Sequence, residues 1–245
     1  MDAYLRRSKG VVVALGSTEQ HGPNGLIGTD ALCATAVAEG LAERAGALLA
    51  PPIAVGAAQF NLSFAGTIST RASTLMALIE DYVRSLARHG FQRIYFLNGH
   101  GGNLAPAKAA FQDLYAEHSV AGRETGVRMR IRSWWDLPTV DRLRRELFGD
   151  WEGMHATPSE VAITQALYPT LLAAAPAAPP AKLSAQFLRD HAGDNHYDAS
   201  THRRDFPDGR VGSHPALASA EHGARLLEAA IADAVSDYRA FLEEK

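Results

Sequence analysis

Only one cysteine, Cys33, occurs in 245 residues. No internal disulfide can form, and a reducing cytoplasm is the expected compartment. No apolar run approaches the roughly 20 residues of a membrane span. The run Val11–Leu15 behind "MDAYLRRSKG" is too short for a secretory signal. Positive charge is not in excess: a net charge of −3 and a pI near 6.4 leave no electrostatic footprint for nucleic acid. Internal repeats are lacking too. What is present is ordinary for a globular chain, 47% hydrophobic and 21% charged, with ample material for a core covered on both faces. Ten histidines are more than average, and their placement matters more than their number.

Strand and helix patterns alternate along the chain. Val11–Leu15 is wholly apolar, as in a strand buried on both faces of a parallel sheet. After a glycine-rich loop, Thr29 is placed to cap a helix over about Ala31 to Arg44, ended by Gly46. A second apolar segment, 48–56, is split by Pro51-Pro52. Leu75, Leu78, Ile79, Val83 and Leu86 fall at helical spacing, and Gly90 stops that helix. "FQRIYFLNGHGGN" (91–103) reads as a strand breaking into glycine, with Asn103 as the cap of a helix to about His118. "VRMRIRSWW" (127–135) alternates like a strand, and Asp136 with Pro138 opens another helix. Thr157-Pro158-Ser159-Glu160 is a capping-box pattern for a helix to about Leu167. Residues 171–182 read as a surface connection, 183–214 as a long polar loop, and Ala216 to about Leu242 as a final amphipathic helix. The alternation implies an α/β fold with a mostly parallel sheet, in which ligands gather at the carboxyl ends of strands.

Two chemistry-rich loops sit at such ends. In "GSTEQHGPNGLIGTD" (16–30), Glu19 and His21 are two apart, so in extended backbone both side chains reach one point. Asp30 begins the next helix, where the dipole favours a carboxylate; plain helix capping accounts for it equally well. In "NGHGGN", His100 stands among glycines that allow close approach of backbone and ligand. "WEGMHATPSE" (151–160) adds Glu152, His155 and Glu160, although a capping box alone explains Glu160 and a surface pair alone explains Glu152 with His155. The tract 191–205 carries His191, His196 and His202 without a spacing that fixes a geometry, and reads as a solvated or site-covering loop. Taken together, carboxylates and imidazoles without cysteine suit Zn²⁺, Mn²⁺ or Fe²⁺. Five such ligands exceed what one catalytic ion needs, and a carboxylate bridging two ions uses all five; Asp30 is the candidate bridge.

These stretches, with "FAGTIS" (64–69), "HATPSE" and "DGRVG", resemble the ordered signatures of the creatininase (creatinine amidohydrolase) family over most of the chain. The resemblance implies a single α/β/α domain over 1–245, two divalent metal ions (Zn, Mn or Fe), hydrolysis of a non-peptide or cyclic amide, and a homohexamer built from dimers. Glu19, His21 and Asp30 match the family's first-loop ligands, and His100 matches the next. Glu160 matches a glutamate ligand in some branches, and His155 matches a histidine resembling a proton donor to the leaving nitrogen. Three departures stand out. Gly102 replaces an acidic residue of creatinine-cleaving members, Asn24 follows Pro23, and "FAGT" stands for "FPGT".

The expected reaction is therefore attack of a metal-activated hydroxide on a small-molecule amide, with His155, oriented by Glu152, protonating the departing nitrogen. Trp134, Trp135 and Trp151 are candidate walls for a flat ring. Gly102 argues against creatinine itself. Rivals within the family are deformylation of a formylamino-pyrimidine and cleavage of a terminal pair from a small modified peptide. Outside enzymes, the rival is a metal-binding protein that kept this fold and lost turnover.

Overall fold

A computed structural model describes residues 1–171, 173–174 and 178–244. In chain order the elements are α1 (Asp2–Arg7), β1 (Gly10–Leu15), α2 (Thr29–Ala45), β2 (Leu48–Leu49), α3 (Ala72–Arg88), β3 (Arg93–Asn98), α4 (Leu104–Val120), β4 (Arg128–Ser133), α5 (Pro138–Phe148), α6 (Pro158–Leu167), α7 (Ala185–Asp190), α8 (Ala199–Asp205) and α9 (Ala220–Glu243).

Every residue of β1 is buried, which demands cover on both faces of the sheet. Val12 and Ala14, with Tyr95 and Leu97 of β3, pack against α2, α5, α6 and α9. Val11, Val13 and Leu15, with Ile94 and Phe96, pack against α3 and α4. The result is three layers, α/β/α, around a four-stranded parallel sheet in the order β2-β1-β3-β4. Because β1 is followed in sequence by β2 on one side and flanked by β3 on the other, the strand order reverses between β1 and β3. That reversal leaves a crevice at their carboxyl ends, the usual ligand position in such sheets.

Several boundaries differ from the sequence-based expectation, each for a local reason. β2 holds only two residues because Pro51 and Pro52 have no N–H; pairing with β1 resumes where the Ile53 N–H donates to the Ala14 carbonyl at 2.9 Å. Gly28, in the left-handed region (φ 81°), caps α2, while the Thr29 hydroxyl donates to the Leu26 carbonyl at 2.6 Å. Asn103 does not cap α4 with its side chain: its amide donates to the Gly16 carbonyl at 2.9 Å and its oxygen accepts the Ala57 N–H at 3.1 Å. The expected loop 183–214 contains α7 and α8, capped by Ser184 and Asp198. The final helix begins at Ala220, capped by Ser219, after a single 3₁₀ turn over Pro215–Leu217. The connection 171–182 lies partly outside the described residues. No described helix is long and apolar enough to cross a membrane.

Candidate metal centre

The two loops at the reversal point converge because the backbone is packed tightly there. A Cβ on Gly99 would lie 2.2 Å from the Asp30 carbonyl oxygen, so glycine at the end of β3 lets it touch the first turn of α2. The Asn98 side chain then holds the next turn, donating to the His100 carbonyl at 2.8 Å and accepting its N–H at 3.2 Å. From the β1 loop, Glu19 and His21 point the same way, and the Gly28 N–H closes the loop on the Glu19 carbonyl at 3.1 Å. The third contribution comes from 155–160, where the Thr157–Glu160 capping box forms with both hydrogen bonds present.

Glu19, His21, Asp30, His100, His155 and Glu160 are all buried. Their donor atoms form three overlapping triads: Glu19, Asp30 and His100; His21, Asp30 and Glu160; and Glu19, His21 and His155. Asp30 joins the first two. Its Oδ1 lies 3.0 Å from Nε2 of His21, and its Oδ2 lies 3.3 Å from Nδ1 of His100. Glu160 Oε1 is 3.6 Å from His21 Nε2, and Glu19 Oε1 is 3.3 Å from His100 Nδ1. The far ring nitrogens are tied to backbone: Nδ1 of His21 to the Glu19 carbonyl at 3.3 Å and Nε2 of His100 to the Ala57 carbonyl at 3.1 Å. Carbonyls only accept, so each inward nitrogen is left to take a cation or a proton, the usual way a metal-binding histidine is fixed.

Among the described residues, both oxygens of Glu19, Nε2 of His21 and Oδ2 of Asp30 find no hydrogen-bond partner although fully buried. Such orphaned polar atoms are costly. Their charge balance points the same way. Burial would push the His100 imidazole down, but Glu19, Asp30 and Asp194 overcome it and raise it to about 10. Burial, aided by His21, holds His155 down to about 4. Burial likewise raises Asp194 to about 6. The carboxylates thus draw protons onto the His21 and His100 imidazoles where no other cation serves, while His155 stays neutral. Hard oxygen and imidazole donors without thiolate fit a pair of divalent ions.

Other expected residues fall differently. Glu152 does not orient His155; its Oε1 accepts from Arg144 Nε at 2.8 Å and from the Ser159 hydroxyl. His155 is oriented by the Gln20 carbonyl, which accepts from its Nε2–H at 2.8 Å; the amide nitrogens of Gln20 and Asn61 pack beside the same atom at 3.0 and 3.4 Å, the former donating to Asn61 Oδ1 and the Gly209 carbonyl. Neither Gln20 nor Asn61 stood out in sequence, since an amide carries no ligand signature. Trp134 and Trp135 line a cavity of about 320 Å³ beside the triads, with Arg144 and Met154. Trp151 stands elsewhere, against His214 and under the Lys182 ammonium. His196 and His202 pack on Phe60 with ring centroids at 4.6 and 4.9 Å, and His191 stacks on Phe187 at 3.8 Å. The histidines of 191–205 therefore cover the site without joining a triad. Asp194 of that same tract does reach it, 3.6 Å from His100 Nδ1. Its one sequence signal is the Gly193-Asp194-Asn195 turn, which the neighbouring histidines obscured.

Comparison with known proteins agrees with this architecture. The chain is 45% identical over 125 residues to a mycofactocin precursor peptide peptidase of Mycobacterium ulcerans (strain Agy99), covering 47% of this chain and 48% of that protein. It thus spans about half the length of that relative. It is 32% identical over 171 residues to a creatinine amidohydrolase of Pseudomonas putida, covering 66% and 65%. A manganese creatininase structure superposes with a TM-score of 0.82 at 27% identity, covering 99% of this chain and 95% of that one. A mutant creatininase of Zn-Zn type does so with 0.82 at 26%, covering 99% and 96%. The profile described as "Creatininase: Creatinine amidohydrolase" matches residues 1–237, nearly the whole sequence. The chain belongs to the creatininase family.

Proposed function

We propose that this protein is a metal-dependent amidohydrolase that cleaves one amide C–N bond of a small substrate. The observation that carries the reading is the Asp30 carboxylate, whose two oxygens face two different triads. When bound, a pair of divalent ions, Zn or Mn as in the structural relatives, or Fe, supplies Lewis acidity towards water and the amide carbonyl. Glu19, Asp30 and His100 would hold one ion, and His21, Asp30 and Glu160 the other.

The chain's own groups manage the proton. With Nε2 of His155 bonded to the Gln20 carbonyl, Nδ1 is the free atom, 3.5 Å from Glu19 Oε1. Held neutral by burial, this imidazole takes up the proton released as water adds to the carbonyl and delivers it to the departing nitrogen. Trp134 and Trp135 exclude water from one wall of the cavity. Its volume, about 320 Å³, suits a small ring or a terminal residue pair rather than a folded polypeptide.

A non-peptide or cyclic amide is the first reading of the substrate. Release of a short segment from a peptide is the second, favoured by 45% identity to a precursor peptide peptidase. Assays of cyclic amides, formamides and short peptides with metal-loaded protein separate them, and we expect one class to turn over. Full activity in a metal-stripped His100→Ala variant would refute the hydrolase reading. A homohexamer is proposed by family resemblance, and light scattering of the eluting protein measures it.

A further inference from the structure

Around Nδ1 of His100 three carboxylate oxygens gather: Glu19 Oε1 at 3.3 Å, Asp30 Oδ2 at 3.3 Å and Asp194 Oδ2 at 3.6 Å. Since Nε2 is engaged by the Ala57 carbonyl, one nitrogen faces all three. A single N–H satisfies one acceptor, and among the described residues both Glu19 oxygens and Asp30 Oδ2 remain without hydrogen bonds. Glu19, Asp30 and His100 are a donor set for a cation, and the Asp194 carboxylate is the further one that reaches the same nitrogen.

Asp194 comes from the turn between α7 and α8, far from the other ligands in sequence. Its side chain is 11% exposed and its backbone lies in the left-handed region (φ 56°). The same Oδ2 accepts the Gly102 N–H at 3.0 Å. The NGHGGN turn leaves the space: a Cβ on Gly101 would lie 2.3 Å from Asp194 Oδ2. Gly102 is also where the resemblance leads one to look for an acidic side chain.

We infer that Asp194 is a ligand of the cation held by Glu19, Asp30 and His100, so that the ion ties the 191–205 cover to the site. The inference rests on the two-ion reading above and adds a residue to it. The competing role is a purely structural anchor on Gly102. Asp194→Asn separates the two, because its amide oxygen keeps the Gly102 hydrogen bond while the charge is lost.

Chelator-competition titrations with Zn²⁺, and Co²⁺ absorption spectra, read the ion directly in the full chain. We expect the wild type to bind two ions, and Asp194→Asn to weaken one of them at least about tenfold with a changed Co²⁺ spectrum. Gly101→Ala, which displaces the carboxylate without altering it, should do the same, and it serves as the test if Asp194→Asn fails to fold. Two ions bound by the variants with wild-type affinity and spectrum overturn the assignment of Asp194 alone. A wild type that binds no ion overturns both this assignment and the hydrolase reading.

Discussion

Glu160 lies 3.6 Å from His21 Nε2 through Oε1, the same oxygen that accepts the Thr157 N–H at 2.5 Å. The capping box of α6 and the triad of His21, Asp30 and Glu160 therefore share one carboxylate. Helix formation at 157–160 fixes where that carboxylate points, and the packing of α6 against α2 brings it to His21. His21 and His155 in turn overcome the cost of burial and hold Glu160 below the ordinary carboxylate range.

The two roles separate by substitution. Glu160→Gln keeps a capping acceptor, so stability should fall by less than about 1 kcal/mol. Loss of the charge should nevertheless empty the His21-side position. Glu160→Ala removes both roles and should show both losses. Denaturant titration beside metal analysis checks the pair, and a Gln variant that keeps two tightly bound ions would contradict the shared role.

His155→Gln should lower kcat by about 10²–10⁴-fold while both ions stay bound, because His155 handles a proton and belongs to neither Asp30 triad. Steady-state kinetics with parallel metal analysis decides it. An ion lost in this variant would move His155 from proton transfer to metal binding.

Gly99→Ala should disturb the centre without touching a ligand. The added Cβ meets the Asp30 carbonyl oxygen, part of the α2 backbone, so something must shift. A destabilisation of about 1–3 kcal/mol is expected from such overpacking, with weaker binding at both positions served by Asp30. Calorimetry and chelator competition measure the two effects.

Acid should weaken the cover over the site. His202 is buried against Phe60, Phe64 and Phe206, its Nε2 has no partner among the described residues, and burial holds it down to about 4. Below the ordinary value of 6.5 the unfolded chain takes up a proton that the folded chain refuses. Its stabilising contribution is therefore full above pH 6.5 and is lost as pH falls towards 4, by at most about 1.4 kcal/mol per unit. His196, also pushed down by burial, acts with the same sign. Denaturation midpoints in chelator at pH 7.5 and 5 should separate more for the wild type than for His202→Phe. Equal separations would contradict this origin.

Sequence patterns reached the layers and most of the centre because both depend on local rules. Val11–Leu15 had to be buried on two faces, and Glu19 with His21 had to point one way in extended backbone. The Thr157–Glu160 box was readable for the same reason. What escaped was tertiary. Asn103 is drawn off its helix by the Gly16 carbonyl and the Ala57 N–H, which lie on other loops. Glu152 is taken by Arg144 and Ser159 rather than His155. Asp194 reaches the centre only because α7 and α8 fold a polar tract over it, and their short helices carry little periodicity.

Diffraction at the zinc absorption edge from crystals grown with Zn²⁺ tests the centre most directly. Two anomalous peaks should flank Asp30, one on its His21 side and one on its His100 side, and Asp30→Ala should lose both. A single peak that leaves one carboxylate oxygen of Asp30 hydrogen-bonded to protein, or none, would contradict the two-ion centre.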